Sequence, residues 1–165
     1  MKNRLFKIFF LVFALFAFVL NANAVVSSVT DINKKIVDLK KISQYDYNSL
    51  VNKNELIGYR LDSFNMASAQ YKNSANLVVD NFNNIIFQIN TIKNSSDFSD
   101  SDKQVQINKL YQDADAALYN LDSQTMNYLF SLRTIMPTIT YQRYVKKFQE
   151  FYNGIGLTDN KLSVR

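Results

Sequence analysis

Residues 57–92 read IGYRLDSFNMASAQYKNSANLVVDNFNNIIFQINTI, and the spacing of their apolar positions decides the fold class. Ile57, Leu61, Phe64, Ser68, Tyr71, Ala75, Val78, Phe82, Ile85, Ile89 and Ile92 alternate in steps of four and three, ten steps without a slip. That is the heptad spacing of a helix lying along another helix. The pattern predicts one helix over about 46–93, roughly 70 Å long at 1.5 Å per residue. Gly58 weakens it by about 1 kcal/mol without having to end it.

Working outward, Asn94 to Asp100 is polar and turn-rich, with Phe98 its only large apolar residue. Ser101 stands three residues before Gln104, a capping-box spacing, and Asp100 and Asp102 suit the positive end of a helix dipole. A helix over 101–136 follows, with the same four-three stripe through Ile107, Tyr111, Ala114, Leu118, Leu121, Thr125, Tyr128, Leu132 and Ile135. Pro137, the only proline, interrupts it, because it lacks a donor and disfavours helix at Met136. Tyr141, Tyr144, Val145, Phe148 and Tyr152 mark a further helix over 138–153, with Gly154 placed to end it. Upstream, Val29, Ile32, Ile36 and Leu39 suggest a short helix over 28–42. The chain is thus expected to be all-α: an elongated antiparallel hairpin or bundle of three to four helices over 25–165, with a coiled-coil-like seam.

Folding the second helix back on the third around Phe98 pairs positions whose numbers sum to 196. Ala114 then meets Phe82, Ala75 meets Leu121, Tyr71 meets Thr125 and Ser68 meets Tyr128, each small residue facing a large one as close packing requires. The same sum carries Leu61 to Ile135 and Val51 to Val145. On this reading the last two helices form one interrupted arm along the second. The first helix, about 24 Å long, doubles back over the near half only. The far half is left with apolar residues off the seam: Leu77, Val79, Ile86 and Phe87 on one helix, Leu110, Ala117, Met126 and Phe130 on the other. A two-helix hairpin cannot bury seam and flanks together, so either the first helix or the N-terminal arm is longer or differently placed and the strip is ordinary core, or the strip is a contact surface. These eight residues are the candidate surface for a protein partner or for self-association into a homo-oligomer.

The N-terminus differs in kind. Lys2, Arg4 and Lys7 precede an unbroken apolar run of thirteen residues, Ile8 to Leu20, and Ala22-Asn23-Ala24 supplies small residues for a peptidase. Residues 1–24 read as a secretory signal peptide, since the run is too short for the ~20 apolar residues that span a bilayer. Three of the nineteen basic residues and none of the fourteen acidic ones lie there. The remainder holds sixteen basic against fourteen acidic, a net of +2. Such a balance makes no case for nucleic acid. Arg143, Lys146 and Lys147, interleaved with Tyr144, form a weak basic patch on the last helix.

Chemistry is sparse. Cysteine and histidine are absent, which removes disulfides, thiolate sites, a Ser-His-Asp triad and His-bearing zinc sites. Only two Glu are present, Glu55 and Glu150, too few for the inward-facing carboxylate cage of a metal-binding bundle. Asp113 and Asp115, two apart, point to different helix faces. No cofactor, metal or catalytic residue is expected. The expected function is that of an exported, non-enzymatic helical protein working through protein–protein contact in the periplasm or extracellular space. A holdase-type chaperone, presenting the apolar strip to unfolded clients, is the alternative. A secreted membrane-active bundle is a second one, weakened because no later stretch is apolar enough to span a membrane.

Overall fold

The computed structural model describes residues 38–42 and 55–157. Within them lie three helices and no strand: α1 (Tyr59–Asn94), α2 (Asp100–Ile135) and α3 (Thr138–Tyr152), the last running into one wide turn, Asn153–Leu157. Residues 1–37, 43–54 and 158–165 lie outside the described residues. So do the expected signal peptide and most of the expected helix over 28–42.

The long helix begins at Tyr59, not near residue 46. Gly58 adopts φ 55°, a conformation that carries no helix through it, and its carbonyl accepts the N–H groups of Leu61 and Asp62. Gly58 therefore sets the start of α1 instead of merely weakening a longer helix. At 36 residues, α1 is about 54 Å long. Its C-terminal turn closes with Ser95 N–H on the Ile92 carbonyl.

α2 is capped by Ser99, not Ser101. The Ser99 hydroxyl accepts the Asp102 N–H at 3.2 Å and donates to the Asp102 carboxylate at 2.6 Å. The cap thus lies two residues earlier than Ser101 and Gln104 suggest, and the acid three residues on binds the capping hydroxyl. α2 ends at Ile135, because Met136, preceding Pro137, is held extended at ψ 147°.

α1 and α2 run antiparallel along a continuous core that includes Phe64, Ala75, Phe82, Ile89, Ile107, Ala114, Leu121 and Leu132. Ser68 and Tyr128 hydroxyls are hydrogen-bonded at 2.8 Å, and Tyr71 and Thr125 at 2.6 Å. Both pairs fall on the sum of 196. Ala114 and Phe82, on the same sum, are fully buried. Ala114→Leu should therefore overpack the core and cost about 1–3 kcal/mol. A thermal melt followed by circular dichroism checks it, and an unchanged curve would show that Ala114 faces no tight neighbour.

α3 does not prolong α2. The chain reverses at Pro137, and Tyr144 reaches Tyr128, Phe148 reaches Tyr71 and Tyr128, and Tyr152 reaches Asp122. The helix lies back across one flank of the α1–α2 pair. The expected interrupted arm is overturned for a physical reason. Once Pro137 breaks the ladder, the apolar stripe Thr140-Tyr144-Phe148 buries more against the pair's aromatic flank than it could as an extension into water. The reversal at the far end belongs to Gly156 (φ 100°), not to Gly154. A Cβ at Gly156 would lie in ordinary contact, 3.7 Å from the Asp38 carbonyl oxygen, so its backbone angle is what calls for glycine.

Residues 38–42, expected at the end of a helix, form no helix. They run as an extended strap with Leu39 and Ile42 buried and Asp38, Lys40 and Lys41 exposed. The strap meets the wide turn through Lys40 N–H on the Ile155 carbonyl at 3.0 Å.

Candidate interaction surfaces

The two flanks of the α1–α2 pair differ. One is covered by α3 and the strap, and asparagines secure the latter. Asn83 Oδ1 accepts the Leu39 N–H at 2.8 Å while its Nδ2 donates to the Leu39 carbonyl at 2.9 Å. Asn76 treats Ile42 in the same way, at 2.8 and 2.9 Å. A side-chain amide has one acceptor and one donor side by side, so it pairs with the N–H and C=O of one extended residue as a neighbouring strand would. Helical sequence supplies this at seven-residue spacing, which returns to the same face after two turns. Lys41 adds an ion pair with Asp80 at 3.0 Å, exposed and of little energetic weight.

Beneath α3 the core turns polar at its aromatic centre. Tyr71 stacks on Tyr128 with ring centroids 4.5 Å apart and planes within 5°. The Tyr128 hydroxyl sits between Ser68 and the Tyr144 hydroxyl, at 2.8 and 2.7 Å, and Tyr152 donates to Asp122 at 2.8 Å. Burial pushes the Tyr128 phenol up to about 12, with the Ser68 and Tyr144 hydrogen bonds pulling the other way. Burial, then the charge of Asp122, raises Tyr152; burial also raises the Asp122 carboxyl against the pull of its Tyr152 hydrogen bond.

These shifts fix the sign of the alkaline response. In the unfolded chain the Tyr128 phenol titrates near 10. A folded value raised above it contributes stability that is complete below about pH 10 and lost as pH climbs through 12. The Tyr128 contribution is roughly 2–3 kcal/mol. Melting temperature should hold from pH 7 to 9.5 and fall above 10, and Tyr128→Phe should blunt the fall. A melting temperature unchanged to pH 11.5 would contradict it.

The other flank is open. An exposed groove of about 450 Å³ runs between the helices, lined by Asn81, Ile85, Gln88, Leu110, Asp113, Ala116, Ala117 and Asn120. Its walls are two alanines, the aliphatic Ile85 and Leu110 and three uncharged amides, with Asp113 the single charge. One turn on, Gln124 donates to Asn120 at 3.2 Å, and its own Oε1 is buried with no donor among the described residues.

The eight residues expected to form an uncovered strip do not share one surface. Val79 and Ile86 are core (0% and 2% exposed), on the strap-covered flank three positions from Asn76 and Asn83. Ala117 is buried at the edge of the open groove and Leu110 half-buried in it. Met126 is half-buried on the opposite side of α2. Leu77, Phe87 and Phe130 are exposed at 72%, 70% and 66%, and helical geometry spreads them over different outer faces. For Val79 and Ile86 the ordinary-core alternative holds, on the flank that carries the strap.

In the basic patch, Arg143 pairs with Glu55 at 3.2 Å, Lys146 and Lys147 are exposed, and Tyr144 is buried and faces away from them. No described helix is long and apolar enough to cross a membrane. Comparison with known protein families, with curated proteins and with solved structures gives no match.

Proposed function

We propose that this chain is an exported, non-enzymatic interaction protein of the cell envelope, and that it works by protein–protein contact through the open flank of α1 and α2. The observation that carries this reading is the asymmetry of the two flanks. One is closed by α3, the wide turn and the strap, while the other presents a groove of alanine, aliphatic and amide side chains at the edge of the core. Small residues let a helix approach closely, and amides supply directional hydrogen bonds without the desolvation that charges impose.

The occupant that fits best is a second copy. A twofold contact brings a patch against itself, so it must be self-complementary and must not oppose like charges. Among the groove-lining residues only Asp113 is charged, and amides pair with amides. Export rests on residues 1–24, whose basic, apolar and small-residue segments have the order of a cleavable leader.

The chain has no cysteine, so a single introduced thiol reports the contact cleanly. Asn120→Cys in the groove should form a covalent dimer on mild oxidation at micromolar concentration. Lys146→Cys, exposed on α3, should not. Equal crosslinking at both sites would mean random collision and would remove the open flank as the contact surface.

A further inference from the structure

The strap is gripped on two edges. Leu39 and Ile42, three residues apart, turn their main chain to α1, where Asn83 and Asn76 hold it at two stations. Lys40, between them, turns the other way, and its N–H meets the Ile155 carbonyl of the wide turn at 3.0 Å. A threefold extended chain brings every third residue back to one side and leaves the residues between to face elsewhere. Ile155 is 3% exposed and stands between two glycines. A Cβ on Gly154 would meet nothing within 4 Å, while one on Gly156 would lie 3.7 Å from the Asp38 carbonyl oxygen and 3.8 Å from a Leu39 methyl. The strap thus touches the turn through main chain and side chain alike.

We propose that the strap, Ile155 and Gly156 form one lid over Val79 and Ile86, which opens as a unit about Gly154 while the three helices keep their places. The hydrogen bonds that close the lid run to Asn76, Asn83 and Ile155, whereas those that hold α3 run through Tyr128, Tyr144 and Asp122. One set can break without the other. Tyr152, bonded to Asp122 at 2.8 Å, pins the end of α3, and the exposed Gly154 follows two residues later as the hinge. Opening uncovers Val79 and Ile86, now 0% and 2% exposed, together with the amides of Asn76 and Asn83. That face lies on the flank away from the open groove, so the lid stands or falls independently of the contact proposed there.

Amide hydrogen exchange of the ¹⁵N-labelled full chain tests the unit residue by residue. In the parent, Leu39, Lys40 and Ile42 should share one level of protection, below that of Ala75 and Leu121 in the helix seam. Gly156→Ala strains the turn, whose φ of 100° suits glycine, and touches neither asparagine. It should speed exchange roughly 5- to 30-fold, and equally at all three strap amides. Asn83→Ala, made on α1, should speed Lys40 and Ile42 as well as Leu39. Ala75 and Leu121 should respond to neither change. An effect of Gly156→Ala confined to Lys40, or of Asn83→Ala confined to Leu39, overturns the single lid, because its two edges then open separately. A Lys40 amide unchanged in both variants overturns it as well. So does equal acceleration at Ala75 and Leu121, since the strap would then open only when the helices unfold.

Discussion

Phe148→Ala should destabilise the protein by about 3–5 kcal/mol, the largest single loss the structure leads us to expect. Phe148 is 1% exposed and packs its ring against those of Tyr71, Tyr128, Tyr144, Phe151 and Tyr152, with centroids 5.7–6.1 Å apart. It is the point where α3 enters the α1–α2 pair. Truncation removes the transfer energy of a large ring and leaves a cavity walled by stacked tyrosines that cannot collapse without breaking the Ser68–Tyr128–Tyr144 hydroxyl chain. The loss should be cooperative, and urea melts of parent and variant measure it. A change below about 1 kcal/mol would mean that α3 is docked loosely and that α1 and α2 are stable without it.

The second large effect is expected from Asn76→Ala together with Asn83→Ala. Each asparagine makes two hydrogen bonds to the strap, and a typical protein hydrogen bond is worth about 0.5–1.5 kcal/mol net. The double variant should lose about 2–6 kcal/mol. It should also uncover Val79 and Ile86, so binding of a hydrophobic dye at neutral pH should rise. Each single change should cost about half as much. Their coupling should be small, since the stations are about 10 Å apart along the helix. Equal stability of the double variant and the parent would show that Leu39 and Ile42 hold the strap by burial alone.

The sequence and the structure agree where side chains repeat and part where backbones are read. Heptad spacing through Phe64, Tyr71, Val78, Ile85 and the residues facing them left little choice for α1 and α2, and pairs such as Tyr71 with Thr125 followed from size alone. Pro137 announced a break but not its direction. The reversal of α3 depends on Tyr144 and Phe148 finding Tyr71 and Tyr128, a tertiary preference with no local signature. The start of α1 at Tyr59 turned on one backbone angle at Gly58. Leu39 and Ile42 were the hardest case: their three-residue spacing fits one face of a helix and one side of a threefold extended chain equally well. The deciding partners, Asn76 and Asn83, looked like ordinary polar residues on an exposed face. Of the candidate surface, Leu110 and Ala117 lie at the open groove. Val79 and Ile86 went to the core because the strap was invisible to periodicity.

On the proposed reading, the open flank of α1 and α2 is where this protein meets a second copy of itself. Light scattering coupled to size exclusion, on the parent and on a Gln88→Arg/Asn120→Arg variant, tests it most directly. Both substitutions lie at exposed groove positions, where surface changes alter stability little. The parent should have a dimer mass and the variant a monomer mass, with the same helical circular dichroism for both. A parent protein that remains monomeric at 100 µM, or a dimer indifferent to the two arginines, would contradict it.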